Sequence, residues 1–300
     1  MKISPDPHTP IVTNKKSNSA PVKTTPIPEP QPQVTSNESV TQQKIRGWFS
    51  RVGISSSQIP KDKASNHNEL ERRKQLLAIQ RASNLQAILN IALNVSISES
   101  SSDSLDPDWF FAFTSMAEEI YSPAMQELWG KIFAVEVNRP GSFSLRSLQT
   151  LKSLTHRDAK LFSKAASMAS KRSNELIPRI LVGYRNQKRW YSIFTQSSNE
   201  QINLASVGLS YPDLLALQDM NLLYVSEIEG GAYAQGQQSK WRCGTTNYTL
   251  TSKAEGTLLT YYKFTAVGAE LFKLVPKADN SAYLDTLFGT LDKGFAISGK

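Results

Sequence analysis

Apolar and polar positions along the chain fall into distinct regimes, the first change coming near Glu69. From Glu69 to about Asn94, Leu85, Ile88, Ala92 and Val95 recur at spacings of three and four, which predicts one helix with a single buried stripe. Asp106-Pro107-Asp108 joins a capping side chain, a proline at the first helical position and a second acid near the positive helix end, and so predicts a helix start. The helix behind it puts Trp109, Phe113, Met116 and Ile120 on one face. Ser122-Pro123 repeats the signal, and Met125, Leu128, Trp129, Ile132 and Phe133 then cover an arc wide enough for the centre of a bundle. Glu127 and Lys131 pair at i,i+4 on its wet side. Arg139-Pro140-Gly141 ends this helix. Ser144 predicts a cap before Leu145, Leu148 and Leu151, and Thr155 with Asp158 predicts a variant capping box before Phe162, Ala165 and Ala169.

Beyond Pro178 the period shifts. Trp190 to Thr195 alternates as a strand would, and Ser210-Tyr211-Pro212-Asp213 predicts a capped helix with Leu214, Leu217 and Met220 inward. Leu222 to Ile228, Tyr248 to Thr251 and Leu258 to Phe264 read as strands. Gly230 to Gly236 reads as a loop, and Lys253-Ala254-Glu255-Gly256 as a hairpin turn between the last two strands. Thr265 predicts a cap for Val267, Leu271 and Leu274, and residues 282 to 291 suit one more helix. The expected fold is mainly α: a helical bundle over 69–183, a small α+β, winged-helix-like domain over 184–275, and a helical extension over 276–300.

Composition adds a tail. Residues 1 to 68 hold few large apolar side chains, and Pro26, Pro28, Pro30 and Pro32 alternate along a stretch that favours polyproline II, so this part is expected to be disordered. One island, Lys44 to Val52, interrupts it with Arg46, Trp48, Phe49 and Arg51. It reads as a short motif that docks a partner or touches an anionic membrane surface, or else as a few sticky residues in a linker or a short segment packing on the protein's own body.

The net charge of +8 suits nucleic acid, but the tail carries nine basic against four acidic residues. The rest holds 25 against 22 and is close to balanced. The single cysteine, Cys243, points to a reducing compartment and a cytoplasmic location. Leu85 to Ile97, broken by Asn90 and Asn94, is too short to span a bilayer, so no transmembrane segment is expected.

Catalytic and metal sites need several reactive groups brought together. His8 and His67 lie in the tail, His156 starts a helix, and Cys243 has no second cysteine or histidine at ligand spacing. Asp106 and Asp108 have capping roles, Glu118 and Glu119 point apart as helix neighbours, and Gly230-Gly231 is followed by no Lys-Ser or Lys-Thr pair. No cofactor is expected. The most suggestive surface is Arg179, Tyr184, Arg185, Lys188, Arg189, Trp190 and Tyr191, whose interleaved bases and aromatics suit phosphate contacts and base stacking. Gln237, Gln238, Lys240 and Arg242 join it if the domain is winged. The alternative is a charged loop leading into an edge strand.

Asp106-Pro107-Asp108-Trp109, Gln126-Glu127-Leu128-Trp129 and Pro140-Gly141-Ser142-Phe143-Ser144-Leu145-Arg146 resemble the signature of an uncharacterised bacterial family of unknown function. The resemblance covers about 69 to 172 and returns at Phe264-Thr265-x-x-Gly268-x-Glu270-Leu271. Val135 and Ser147 depart from the family's usual Gly and Thr. Gln126 to Ala134 is also distantly similar to abortive-infection proteins, which implies a setting in phage defence. The resemblance implies no activity and no catalytic residue. Physically, Trp129 reads as core, Arg139-Pro140-Gly141 as a turn and Ser144 as a cap. Arg146, one turn into a helix, opposes the dipole and is expected to pair with Glu136. The leading functional expectation is a non-enzymatic module that binds nucleic acid or a protein partner. The alternative is a defence effector acting through a protein partner or at the membrane surface through Trp48 and Phe49. A hydrolase using dispersed acids comes third.

Overall fold

A computed structural model describes residues 40–54, 63–95, 104–186 and 199–299. The chain divides into one unit up to Ser57 and another from Gln58 to Lys300. In the first, helix α1 (Val40–Arg51) occupies part of the stretch expected to be disordered. The second opens with α2 (Lys63–Leu93), which starts ahead of the expected Glu69. Four shorter helices follow: α3 (Pro107–Ala117), α4 (Pro123–Asn138), α5 (Leu145–Ser153) and α6 (His156–Ser167). Asp106, Ser144 and Thr155 cap α3, α5 and α6 as the sequence requires, while Ser122 makes no side-chain cap bond to α4.

Aromatic rings fill the space between α3 and α4. Phe113 stacks on Trp109 at 5.1 Å and packs against Trp129 at 5.2 Å. α2 joins them through a buried amide. Asn84 donates to the Glu118 carbonyl at 2.7 Å and accepts from Gln80 and Gln126 at 3.2 Å. A buried amide with its bonds made fixes how the helices sit without leaving a polar atom stranded.

A sheet then takes over. Its strands are β1 (Ser170–Arg172), β2 (Arg179–Asn186), β3 (Asn199–Gln201), β4 (Ile228–Glu229), β5 (Gln238–Cys243), β6 (Thr246–Ser252), β7 (Thr257–Lys263) and β8 (Phe295–Ser298). All pairings are antiparallel, in the order β4-β7-β2-β1-β5-β6-β8, with β3 added beside β2. The sheet curls into a half-barrel. At the β2 bulge, Gly183 brings the backbone so close to β3 that a side chain there would meet the Glu200 carbonyl. Helices α7 (Tyr211–Asp219), α8 (Ala266–Phe272) and α9 (Ser281–Leu291) complete the unit.

This overturns the mainly α expectation. About 52% of the described structure is helical and 18% strand, and the strands form one sheet rather than a winged-helix hairpin. β1 and β2, from a stretch read as the end of a bundle, are among its inner strands. Lys253 to Gly256 does connect β6 to β7, but not as a hairpin. β6 pairs with β5 and β8, and β7 with β2 and β4. Alternation finds strands, but only long-range register decides which of them pair. The expected strand over Trp190 to Thr195 lies outside the described residues.

Register defines two faces. Ser170, Arg172, Arg179, Leu181, Tyr184, Trp241 and Tyr248 share an inner face, against which α9 packs. Tyr283 of α9 donates to the Leu181 carbonyl at 2.8 Å, and Phe288 meets Tyr248 edge-on at 5.1 Å. Lys171, Lys240 and Arg242 alternate onto the outer face.

Two helices begin with reciprocal boxes, Thr155 with Asp158 and Ser210 with Asp213. Removing either cap by Thr155→Ala or Ser210→Ala is expected to cost about 1 kcal/mol, read by urea unfolding. The Thr155 and Ser210 hydroxyls hold the Asp158 and Asp213 carboxyls below their usual range. That share of stability is present above the ordinary carboxylate pKa and is lost as pH falls through the lowered one.

Candidate functional site

Outside the helical layer, the sheet carries a concentration of positive charge. β1 and β5 run antiparallel with Lys171 opposite Arg242. One strand further, Arg242 faces Asn247 and Lys240 faces Thr249. Strand alternation alone produces this: Ser239, Trp241 and Cys243 are buried while Lys240 and Arg242 are exposed. A recess of about 800 Å³ lies over these residues, bounded by the β1–β2 loop at Ser173 to Leu176.

Lys171 and Arg242 are like charges placed directly opposite, an arrangement that destabilises a sheet unless an anion lies between them. None of Lys171, Lys240 and Arg242 has an acidic partner among the described residues. Glu175, the one acid among the described residues that line the recess, is already engaged by Arg172 at 3.5 Å and, more closely, by Arg179.

The expected surface divides. Lys240 and Arg242 stand on the outer face of β5, within a strand and not on a wing tip. Arg179 turns inward with its side chain 12% exposed, and Arg185 is exposed near the end of β2. Tyr184 is buried against Phe295 of β8. Lys188, Arg189, Trp190 and Tyr191 lie outside the described residues. In α1, Arg46, Trp48, Phe49 and Arg51 are all exposed, with the Arg51 guanidinium 4.3 Å from the Trp48 ring centre.

Lys171, Arg172 and Glu175 were not legible as site residues. β1 is only three residues long, too short for a period, and its neighbour β5 is distant in sequence. The adjacent pair Lys171-Arg172 just past a helix end was the available signal.

Reactive groups are placed elsewhere. Burial pushes the Cys243 thiol up to about 11, which holds it protonated at neutral pH. His156 is an exposed helix-start residue. Glu119 bridges Lys152 at 2.6 Å and Arg81 at 3.5 Å, and Asp106 caps α3. Among the described residues no cluster of three or more His, Cys, Asp or Glu is set to hold a metal ion, and no helix is long and apolar enough to cross a membrane.

The expected Arg146–Glu136 pair is absent. Arg146 is exposed, and both carboxylate oxygens of Glu136 accept backbone N–H groups instead, from Gly141 at 2.6 Å and Phe143 at 2.8 Å. The turn after α4 presents unpaired amides within reach, and these take the buried acid.

Residues 68–288 match the model of a family described as "Protein of unknown function (DUF2806)". The chain belongs to this family. The DUF2806 match takes in the outer-face residues Lys171, Lys240 and Arg242, and leaves out α1 and β8. No curated protein and no solved structure matches the chain.

Proposed function

We propose that the DUF2806 body is a non-enzymatic binding module that takes the phosphate backbone of a nucleic acid on the outer face of β1 and β5. The observation that carries this is the juxtaposition of Lys171 and Arg242, with Lys240 beside them and no acid to neutralise them among the described residues. Phosphates relieve that repulsion and release counterions as they bind. Asn247 and Thr249 offer neutral donors next to the cations.

Fluorescence anisotropy of the full chain against duplex and single-stranded nucleic acid, over a salt series, tests the reading. Micromolar binding that weakens steeply with salt is expected. The triple variant Lys171→Glu, Lys240→Glu, Arg242→Glu should bind at least about tenfold more weakly and lose about three units of salt slope on duplex. Wild-type binding by the triple variant, or no binding by the wild type at low salt, would overturn it.

A second reading rests on α1. Ile45, Trp48, Phe49 and Val52 fall at helical spacings of three and four and are 38–67% exposed, flanked by Lys44, Arg46 and Arg51 and by no acid within the helix. An apolar stripe edged with cations suits the surface of an anionic bilayer. The abortive-infection resemblance gives this helix a setting, an effector acting at the membrane. Flotation with phosphatidylserine vesicles is expected to carry the full chain, and Trp48→Ala with Phe49→Ala to leave it at the bottom of the gradient. Equal flotation of both proteins would sink the idea.

A further inference from the structure

The inner face of the sheet holds a second, more enclosed space of about 280 Å³. Arg172 from β1 and Arg179 from β2 point into this region and share one carboxylate, Glu175, on the loop between them. Asn174 in that loop adopts a left-handed backbone, φ 70°, which turns the chain tightly enough to bring Glu175 back over the two strands. Three rings form the walls. The Arg179 guanidinium lies 4.6 Å from the Tyr261 centroid and 5.7 Å from that of Trp241, and Arg172 lies 5.7 Å from Tyr233.

Charge in this space does not balance. Among the described residues two guanidiniums face one carboxylate, which leaves a net positive charge beside the largely buried Arg179, where an uncompensated ion is costly. The Arg179 Nε–H is buried and has no hydrogen-bond acceptor among the described residues. Burial first, and the neighbouring Arg172 after it, lower the Arg179 pKa, as a desolvated cation beside a like charge requires. Structural ion pairs alone would be served by one arginine and one acid.

We propose that this cavity is a binding site for a small anion bearing a flat aromatic ring, of the class of a nucleoside monophosphate or an aromatic carboxylate. The anionic group supplies the missing acceptor for Arg172 and Arg179, and the ring lies against the walls formed by Tyr233, Trp241 and Tyr261. Glu175 occupies the guanidiniums when the site is empty and competes with the ligand for them. Lys171, Lys240 and Arg242 alternate onto the opposite face, while Arg172, Glu175 and Trp241 border both spaces.

Isothermal titration of the full chain with adenosine 5′-monophosphate, benzoate and inorganic phosphate tests the site and separates the ligand sources. One of the two ringed anions is expected to bind with a Kd below about 1 mM. Arg172→Gln, at a half-buried position, should weaken it at least about tenfold with the fold retained by circular dichroism. Glu175→Gln should act in the opposite sense and tighten binding about threefold or more, because it removes the internal competitor. The outer-face triple variant should weaken this affinity less than Arg172→Gln does, because it keeps both guanidiniums, and nucleic-acid binding is read separately by anisotropy, which separates failure here from failure of the proposed function. Absence of binding by all three compounds, or equal affinity in Arg172→Gln and wild type, would overturn the site. Phosphate binding as tightly as both ringed anions would overturn the role given to the aromatic walls.

Discussion

Glu136→Ala is expected to destabilise the folded unit by about 3 kcal/mol, roughly 6–12 °C in Tm for a unit of this size. The carboxylate sits in the last turn of α4, 2% exposed, and closes the following loop by accepting from Gly141 and Phe143. That loop is a junction. The Phe143 carbonyl accepts from Trp109 of α3 at 2.8 Å, and the Ser144 N–H donates to Glu270 of α8 at 2.6 Å. Lys273 donates to the Ser142 carbonyl at 2.9 Å and lies 5.5 Å from the Phe143 ring. Removing the acid strands the buried Phe143 N–H and frees a segment that four helices use to hold their positions. Glu136→Gln keeps one acceptor and the side chain's shape, so about half the loss is expected. Arg146→Ala, at an exposed position, should stay within about 0.5 kcal/mol of wild type. Urea unfolding of the three variants checks the order; an Arg146 variant as damaged as the Glu136 one would refute this account of the loop.

What the sequence made legible was what is decided locally. Asp106, Ser144, Thr155, Ser210 and Thr265 each announce a helix because the acceptor and the amides it serves are within three residues. Ile180-Leu181-Val182 gave no alternation, because β2 is an inner strand buried on both faces. The same limit applied to chemistry. Lys240 and Arg242 were identifiable by residue type, but Lys171 joins them only through the β1–β5 register. Arg179 read as a surface base because its acid, Glu175, reaches it through a left-handed turn at Asn174 that side-chain pattern does not reveal. The two parts of the family-like signature, far apart in sequence, meet where Ser144 bonds Glu270, and that contact too is a product of the fold.

Gly268→Ala is expected to cost about 4 kcal/mol, while Gly289→Ala should stabilise by up to about 1 kcal/mol. Both glycines are helical, and an alanine favours the helix equally at each. The difference lies in what a methyl group would meet. At Gly289 there is nothing within 4 Å, whereas at Gly268 the Leu222 carbonyl oxygen stands 2.1 Å from the new carbon and the Phe264 ring 3.1 Å. Leu222 cannot retreat cheaply. It is fully buried, and its carbonyl accepts the Thr265 N–H at 3.1 Å, while the Thr265 hydroxyl donates to the Asn221 carbonyl at 2.6 Å and accepts the Gly268 N–H at 3.0 Å. A shift large enough to admit the methyl would pull α8 off the segment that follows α7 and break the cap that starts it. Because α8 also carries Glu270, the loss should reach the Ser144 junction, so Gly268→Ala combined with Glu136→Ala should cost less than the sum of the two alone. Denaturant midpoints for the single and double variants measure that coupling, and strict additivity would mean that α8 and the loop after α4 hold independently.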